Sequence, residues 1–510
     1  MSSEAEATRW LSGEKETALT GPEWPLKTRY SEPVADVPQT RTVVSFEAEA
    51  AIVPSGERAT SQTQPEWPSK VRRGTSLTSG EEVVGVCIGG GSDPLFLRGA
   101  QPTRGTAHPR EDYIQYSDNL NMIAANVPHL PDGDSPDLIL VPATPQERIA
   151  SIKLNSIAWK GPLDVETYIA REDHLYSQRL TRDGLTCWIL VDGSEPEGDR
   201  TILSSCETYQ KKAILAHNGQ VEDVSTHGVG SVYCRPEFRG KGYAKRMLEE
   251  LSRKLDTWKM EKQPRGRALF TILFSDIGKK FYAQFGWRPY SSSHMVLPAR
   301  AKEESSNGTT GKNVTRDLYA EDVDKNMCND TVITNLREEM RVASKKSQAA
   351  KVAILPDFDH FVWHWAREEF FAQQVFSQRA PPLVKGAGND NARVYCAWNR
   401  NFGETPEDSV LYILRWVYDD PTSPEQEQAL VQAMADILRR AQHEAKEWGL
   451  STVEFWNPEP LLQKAVKVLD PDAEVVHREK SSISSLRWTG DEHGLGQDVE
   501  WILNEKYTWC

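Results

Sequence analysis

From Ser231 to Leu251 the sequence reads SVYCRPEFRGKGYAKRMLEEL, an extended stretch that runs into Arg239-Gly240-Lys241-Gly242-Tyr243-Ala244 and then straight into an amphipathic segment. Ala244, Met247, Leu248, Leu251, Leu255 and Trp258 recur at helical spacing on one face. A strand joined to a helix by two glycines constrains the chain to an α/β arrangement in which the turn faces a ligand. Glycines let the backbone approach that ligand closely, and the free N–H groups at a helix start favour phosphate. Lys241, Lys245 and Arg246 add positive charge at the same place. Residues 239–245 are therefore expected to hold a pyrophosphate. The spacing matches neither G-x-x-x-x-G-K-[ST] nor G-x-G-x-x-G, which excludes the common mononucleotide and dinucleotide loops.

This local charge stands out in a chain with 60 Lys+Arg against 74 Asp+Glu, a net charge of −14. That balance argues against a general nucleic-acid binder, whose affinity comes from clustered positive charge. No apolar run approaches the ~18 residues of a membrane span, and MSSEAEATRWLSGEKE has no basic-then-apolar leader. The seven cysteines are scattered without a C-x-x-C pair, which reads as reduced thiols in a cytoplasmic setting.

Residues 1–133 are rich in Ser, Thr, Gly, Pro, Glu and Arg and lack apolar periodicity. They read as a disordered extension that buries too little to offset its chain entropy. It carries PEWP at Pro22–Pro25 and again at Pro65–Pro68. Gly89-Gly90-Gly91 follows an apolar run but has no helix after it, so it reads as a loop. Order is expected from Leu138: a strand, a helix capped by Thr144-Pro145, a second helix after Gly161-Pro162, three strands (186–192, 202–215, 227–234), the glycine turn and its helix, a buried strand at 269–274, and a helix through Phe281-Tyr282 ending at Gly286. A polar linker with a helical connection fills 301–348. Residues 349–510 then repeat the order: strand, aromatic helix, hairpin around Asn401-Phe402-Gly403, a long helix capped by Ser423-Pro424, strand, helix, strands. The division expected is 1–133, 134–300, 301–348 and 349–510, with two copies of one mixed-sheet α/β fold.

The R-x-x-G-x-A pattern between strand and helix resembles the GNAT acyltransferase superfamily, where it binds the pyrophosphate of acetyl-CoA. The resemblance implies a GNAT fold followed by a degenerate GNAT-like domain, acetyl-CoA as co-substrate and no metal. It places the pantetheine arm along Val232, Tyr233 and Cys234, and the pyrophosphate on Arg239, Gly240, Lys241, Gly242, Tyr243, Ala244 and Lys245. Tyr282, in Tyr282-Ala-Gln-Phe-Gly286-Trp287, matches the superfamily tyrosine that protonates the departing CoA thiolate. Members often carry Asn seven residues earlier, where this chain has Ser275. Trp159-Lys-Gly161-Pro162, Ser205-Cys206-Glu207-Thr208, the segment from Thr226 to Val232, Ser275–Tyr282 and Ser292-Ser293-His294 resemble fungal lysine N6-acetyltransferases of lysine degradation. That similarity covers 138–300 closely and 315–510 loosely, and implies free L-lysine, a small-molecule amine, as acceptor.

Such chemistry needs a base, because a lysine ε-ammonium has a pKa of about 10.4. His227, at the start of the strand leading into the loop, and Glu207, on the strand before, are the candidates. His227 could equally be a turn histidine, Glu207 could bind the substrate ammonium instead, and Tyr282 could be a core aromatic. His360 and His364, four apart, read as packing rather than a metal pair, and Cys234 as a small hydrophobe beside pantetheine. The terminal carboxylate of Cys510 is a further base by analogy with N-myristoyltransferases, also tandem GNAT folds. In the second half Asp419-Asp420-Pro421-Thr422-Ser423-Pro424-Glu425 replaces the glycine turn, and its carboxylates would repel a pyrophosphate. Two rival readings use the same loop: a protein or peptide N-acyltransferase, and a CoA-binding regulator without turnover. Oligomeric state is not readable from these features.

Overall fold

The computed structural model describes residues 130–262, 266–301 and 315–509. The PEWP repeats, Gly89-Gly90-Gly91 and Cys510 lie outside them. Along the first half run β1 (Leu138–Pro142), α1 (Pro145–Trp159), α2 (Val165–Tyr176), α3 (Arg179–Arg182), β2 (Leu185–Asp192), β3 (Ser204–His217), β4 (Gln220–Cys234), α4 (Tyr243–Lys254), β5 (Phe270–Ser275), β6 (Arg288–Pro289) and β7 (Ser293–Pro298). Then come β8 (Arg316–Leu318), α5 (Ala320–Met327), α6 (Asp330–Ser344), β9 (Ala350–Ile354), α7 (Phe358–Val375), β10 (Gly386–Asn389), β11 (Val394–Asn401) and β12 (Val410–Tyr418). The chain closes with α8 (Pro424–Glu447), β13 (Thr452–Trp456), α9 (Pro460–Leu469), β14 (Val476–His477), β15 (Ile483–Trp488) and β16 (Val499–Trp501).

Local chemistry sets the helix starts. Thr144 Oγ1 accepts from Glu147 N at 3.2 Å while Glu147 Oε2 accepts from Thr144 N at 2.9 Å, a reciprocal cap on α1. Ser423 caps α8 through Gln426 N at 3.3 Å, with Pro424 in the first turn. The α8 face of Leu430, Met434, Ile437, Leu438, Ala441 and Ala445 is buried, each large aliphatic contributing roughly 1.5–3 kcal/mol. One expected element differs. The segment through Tyr282 is a single 3₁₀ turn, Tyr282–Phe285, stopped by Gly286 at φ 95°.

Both halves form the expected mixed α/β sheets. The first sheet runs β1-β2-β3-β4-β5-β15-β6, with β9 on the far part of β3 and β16 beside β9. The second runs β14-β7-β13-β12-β11-β10-β8. Within each, one parallel pair is bridged by a helix: β4–α4–β5 in the first and β12–α8–β13 in the second. The second half thus repeats the first. The sheets, however, do not divide where the linker does. β7 leaves the first half to pair with β13, and β15 leaves the second half to pair with β5. The flanking pairs β15–β6 and β7–β14 complete a reciprocal strand exchange. Ile152, Leu163 and Tyr168 share one core with Trp398, Leu438 and Phe455, so the two halves are packed through each other.

Candidate active site

β4 and β5 pair in parallel only at His227–Thr271, Gly228–Ile272 and Val229–Leu273. Beyond Val229 they part. Gly230, Ser231 and Val232 are half-buried and face the opening with no strand on that side. Backbone N–H and C=O groups freed in this way need a partner, which an extended ligand laid along the strand would supply. The chain then reaches the glycine turn, where Gly240 and Gly242 have φ values of 76° and 86°. A Cβ at Gly240 would meet no atom within 4 Å, so the backbone there presents open space. Gly242 is the N-cap of α4, whose first turn holds no acidic residue, and Ala244 is buried beneath it. Free N–H groups, a positive helix end and Lys241 fit a pyrophosphate. Arg239 Nε donates to the Cys234 carbonyl at 3.1 Å, which ties the loop to the end of β4. Lys245 lies on the exposed side of α4, 3.8 Å from Glu249.

The loop is also held from an unexpected side. Gly133 N donates to the Lys241 carbonyl at 3.1 Å and the Tyr243 hydroxyl donates to the Pro131 carbonyl at 2.7 Å. A Cβ on Gly133 would lie 2.3 Å from that Lys241 oxygen. Residues 131–133, assigned from composition to the disordered extension, therefore pack on the turn.

Where the strands part, β4 carries an extra residue. Ser205 pairs with Tyr233 but Glu207 with Gly230, and Ser231 sits at φ 51° in this bulge. The bulge aims the Ser231 hydroxyl at Glu207 Oε2, 2.7 Å away, and the Tyr209 hydroxyl donates to the same oxygen at 2.9 Å. Among the described residues Oε1 receives no hydrogen bond. Burial, then the nearby Glu172 carboxylate, push the Glu207 acid up, while the two hydroxyls hold it down. A carboxylate lifted toward neutrality with one free oxygen is suited to accept a proton.

His227 is not part of this corner. It pairs with Gln210, on the opposite face of β3 from Glu207, and lies under the segment after α4. Its Nε2 is 2.9 Å from the Trp258 carbonyl, which can only accept, so that nitrogen carries the proton. The ring is fully buried, and burial pushes its pKa down to about 4. The sequence could not show this, because whether 227 shares a face with 207 depends on the pairing register of β3 with β4.

Tyr282 is almost wholly buried in the 3₁₀ turn after β5, edge-on to Phe281. Ser275 closes β5, and its Oγ donates to the Gly278 carbonyl at 2.7 Å, shaping the turn that carries Tyr282. Tyr233 is buried and meets Trp159 edge-to-face, and Cys234 is buried at the strand end. His360 Nδ1 lies 2.8 Å from Asp357 and His364 Nε2 lies 3.3 Å from the Tyr507 carbonyl, so both rings are engaged in packing bonds. Ser231 and Tyr209 escaped the sequence reading. The clue available was Gly228-Val229-Gly230 inside a strand, which marks a bulge.

Residues 294–510, beginning inside β7, match a family described as the LYC1 GNAT-like C-terminal domain. Across 389 residues the chain is 27% identical to the uncharacterized protein YGR111W of Saccharomyces cerevisiae, covering 70% of this chain and 93% of that one. It is 24% identical over 413 residues to a protein of Yarrowia lipolytica named lysine acetyltransferase, covering 72% and 98%. Among solved structures it aligns with a GCN5-related N-acetyltransferase from Kribbella flavida, at 16% identity and TM-score 0.39 over 69% of this chain and 71% of that one. A tandem GNAT protein of the clavulanic acid pathway aligns at 11% identity and TM-score 0.36, over 71% of this chain and 99% of that one. Residues 294–510 are thus similar to a GNAT-like domain, and 72% of the chain is similar to a protein named lysine acetyltransferase. Among the described residues no helix is long and apolar enough to cross a membrane.

Proposed function

We propose that the protein transfers the acetyl group of acetyl-CoA to the ε-amine of free L-lysine, in lysine breakdown. The observation that carries this reading is the parting of β4 from β5 directly before a turn of two left-handed glycines, with the Glu207 carboxyl at the fork. The pantetheine arm lies along Val232–Cys234 and its pyrophosphate on Arg239–Lys245. Glu207, through Oε1 and directly or by a water, takes the proton that frees the amine. The amine attacks the thioester carbon, the C–S bond breaks, and Tyr282 returns a proton to the thiolate. His227 has no part in this scheme, since its free nitrogen faces the core. The choice of lysine draws on the name of the Yarrowia lipolytica relative and on the acidic pair Glu207 and Glu172, which suits an ammonium group. Purified protein with acetyl-CoA and a panel of free amines and lysine-bearing peptides tests it. N6-acetyl-lysine as the main product is expected, and selective turnover of peptides would overturn it.

A further inference from the structure

The interior between the two sheets includes two cations, Lys506 and Arg367, that have no carboxylate partner among the described residues. Lys506 is 6% exposed, with its Nζ 4.0 Å from the Trp509 ring centre, 4.3 Å from Trp456 and 4.5 Å from Tyr412. It makes no hydrogen bond or ion pair among the described residues. Arg367 lies 5.8 Å from the centre of the same Trp509 ring and spends one N–H on Asn401 Oδ1 at 2.6 Å. It has no carboxylate partner among the described residues either. Several other buried cations of this half have carboxylate partners, Arg400 with Glu368 and Glu444, Lys385 with Glu368 and Glu369, Arg415 with Glu505, while Arg478 donates to the Ser293 and Ser482 carbonyls at 3.0 and 3.2 Å. A buried charge is costly unless paired, so the exceptions call for an anion that arrives with a ligand.

Their position says which ligand. Tyr209, which donates to Glu207, packs edge-on against Trp363, and Trp363 meets Trp509. The Tyr168 hydroxyl lies within electrostatic reach of both Glu207 and Arg367. The cations and the carboxyl base thus lie on one face of β3, separated by a short aromatic wall. The tail that carries Lys506 is fixed rather than loose, because the Tyr507 hydroxyl donates to the Ile354 carbonyl of β9 at 2.6 Å. Among the described residues Glu454 is the main negative influence on Lys506, yet its Oε1 already accepts the Trp456 indole N–H at 3.0 Å and faces His294. Burial, with Arg367 and Arg478 nearby, outweighs Glu454 and holds the Lys506 ammonium down to about 7, the condition of a cation short of a counter-charge.

We propose that Lys506 and Arg367 seat the carboxylate of the acceptor, so that the substrate is a free amino acid and not a lysine side chain within a protein. This rests on the lysine reading above. The test compares L-lysine with cadaverine, the same amine without its carboxylate, in wild type, Lys506→Met and Arg367→Gln. Wild type should favour lysine. Each variant should raise the lysine KM about 10- to 100-fold, the value of a hydrogen bond to a charged group, while cadaverine kinetics stay as they were. Equal losses for both amines, or undiminished preference for lysine, would overturn the seat alone. Failure of the wild type to acetylate lysine would refute the acceptor assignment and the seat with it.

Discussion

Replacing Ser231 by alanine removes one hydroxyl and nothing else from the corner around Glu207. The bond lost is the 2.7 Å contact to Oε2, which acts on the charged form of the carboxyl. A hydrogen bond to an ionised group is worth about 1.5–3 kcal/mol, and one pKa unit corresponds to about 1.4 kcal/mol. Its loss should raise the Glu207 pKa by about one to two units, since burial and Glu172 are then opposed only by the Tyr209 hydroxyl and the more distant Arg148 charge. A base works in its ionised form, so activity rises with pH through this pKa. The acid limb of the kcat/KM profile should therefore move to higher pH by the same amount, with little change on the plateau. Ser231→Gly supplies the control. It also lacks the hydroxyl but relieves the left-handed backbone at φ 51°, a strain of about 1–2 kcal/mol. Glycine should shift the limb as alanine does while melting at a higher temperature than alanine. Profiles that fall in height with an unmoved limb in both variants would refute Glu207 as the base.

Three further outcomes follow from the same geometry. Gly242→Asp puts a side chain and a negative charge at a φ of 86° on the helix end, so acetyl-CoA affinity measured by calorimetry should fall by at least tenfold, and unchanged affinity would refute the loop assignment. Tyr282→Phe keeps the packing ring and deletes the proton; kcat should drop by about 10²–10⁴-fold with acetyl-CoA binding retained, and a near wild-type rate would exclude it as the acid. Gly133→Ala forces a Cβ to 2.3 Å from the Lys241 carbonyl, so the acetyl-CoA KM should rise, and a truncation starting at Pro131 should stay active where one starting at Ser135 does not.

The glycine turn and its helix were legible because their signals are local. Two glycines, a basic residue and a helical repeat occupy one stretch from Arg239 to Leu251, and each carries its meaning without reference to the rest of the fold. Most elements were legible for the same reason, among them the capped starts at Thr144 and Ser423. The face on which Glu207 and His227 lie was not, because it is set by the β3–β4 register, which pairs His227 with Gln210. The contact of Gly133 with Lys241 joins residues 108 positions apart, and a segment chosen by composition gave no sign of it. Lys506 and Arg367 were silent as well: a lysine near a chain end and an arginine on an aromatic helix acquire meaning only when the fold brings both to Trp509.

The strand exchange explains why the degenerate half persists. At the place matching Arg239–Lys245 it has Asp419 to Glu425, and Asp419 pairs with Arg393 at 2.6 Å. β12 and β13 still part after Tyr412–Glu454. Near the ends of these strands lies a cavity of about 780 Å³, with Asp420, Glu339 and Glu459 among its lining residues. Carboxylates there repel a polyphosphate, so the second fork keeps its shape and loses its ligand chemistry. What the half does instead follows from pairing. β15 covers the edge of β5 that would otherwise be exposed, and β9 extends β3 beyond its pairing with β2. α7 brings Trp363 against Tyr209, and the tail brings Lys506 and Trp509 against α7. Removing the second half would strip the first sheet of three strands and the Glu207 corner of its far wall. Loss of cofactor chemistry at Asp419–Glu425 and retention of every interlocking strand are thus compatible, because the two act on different parts of the same half.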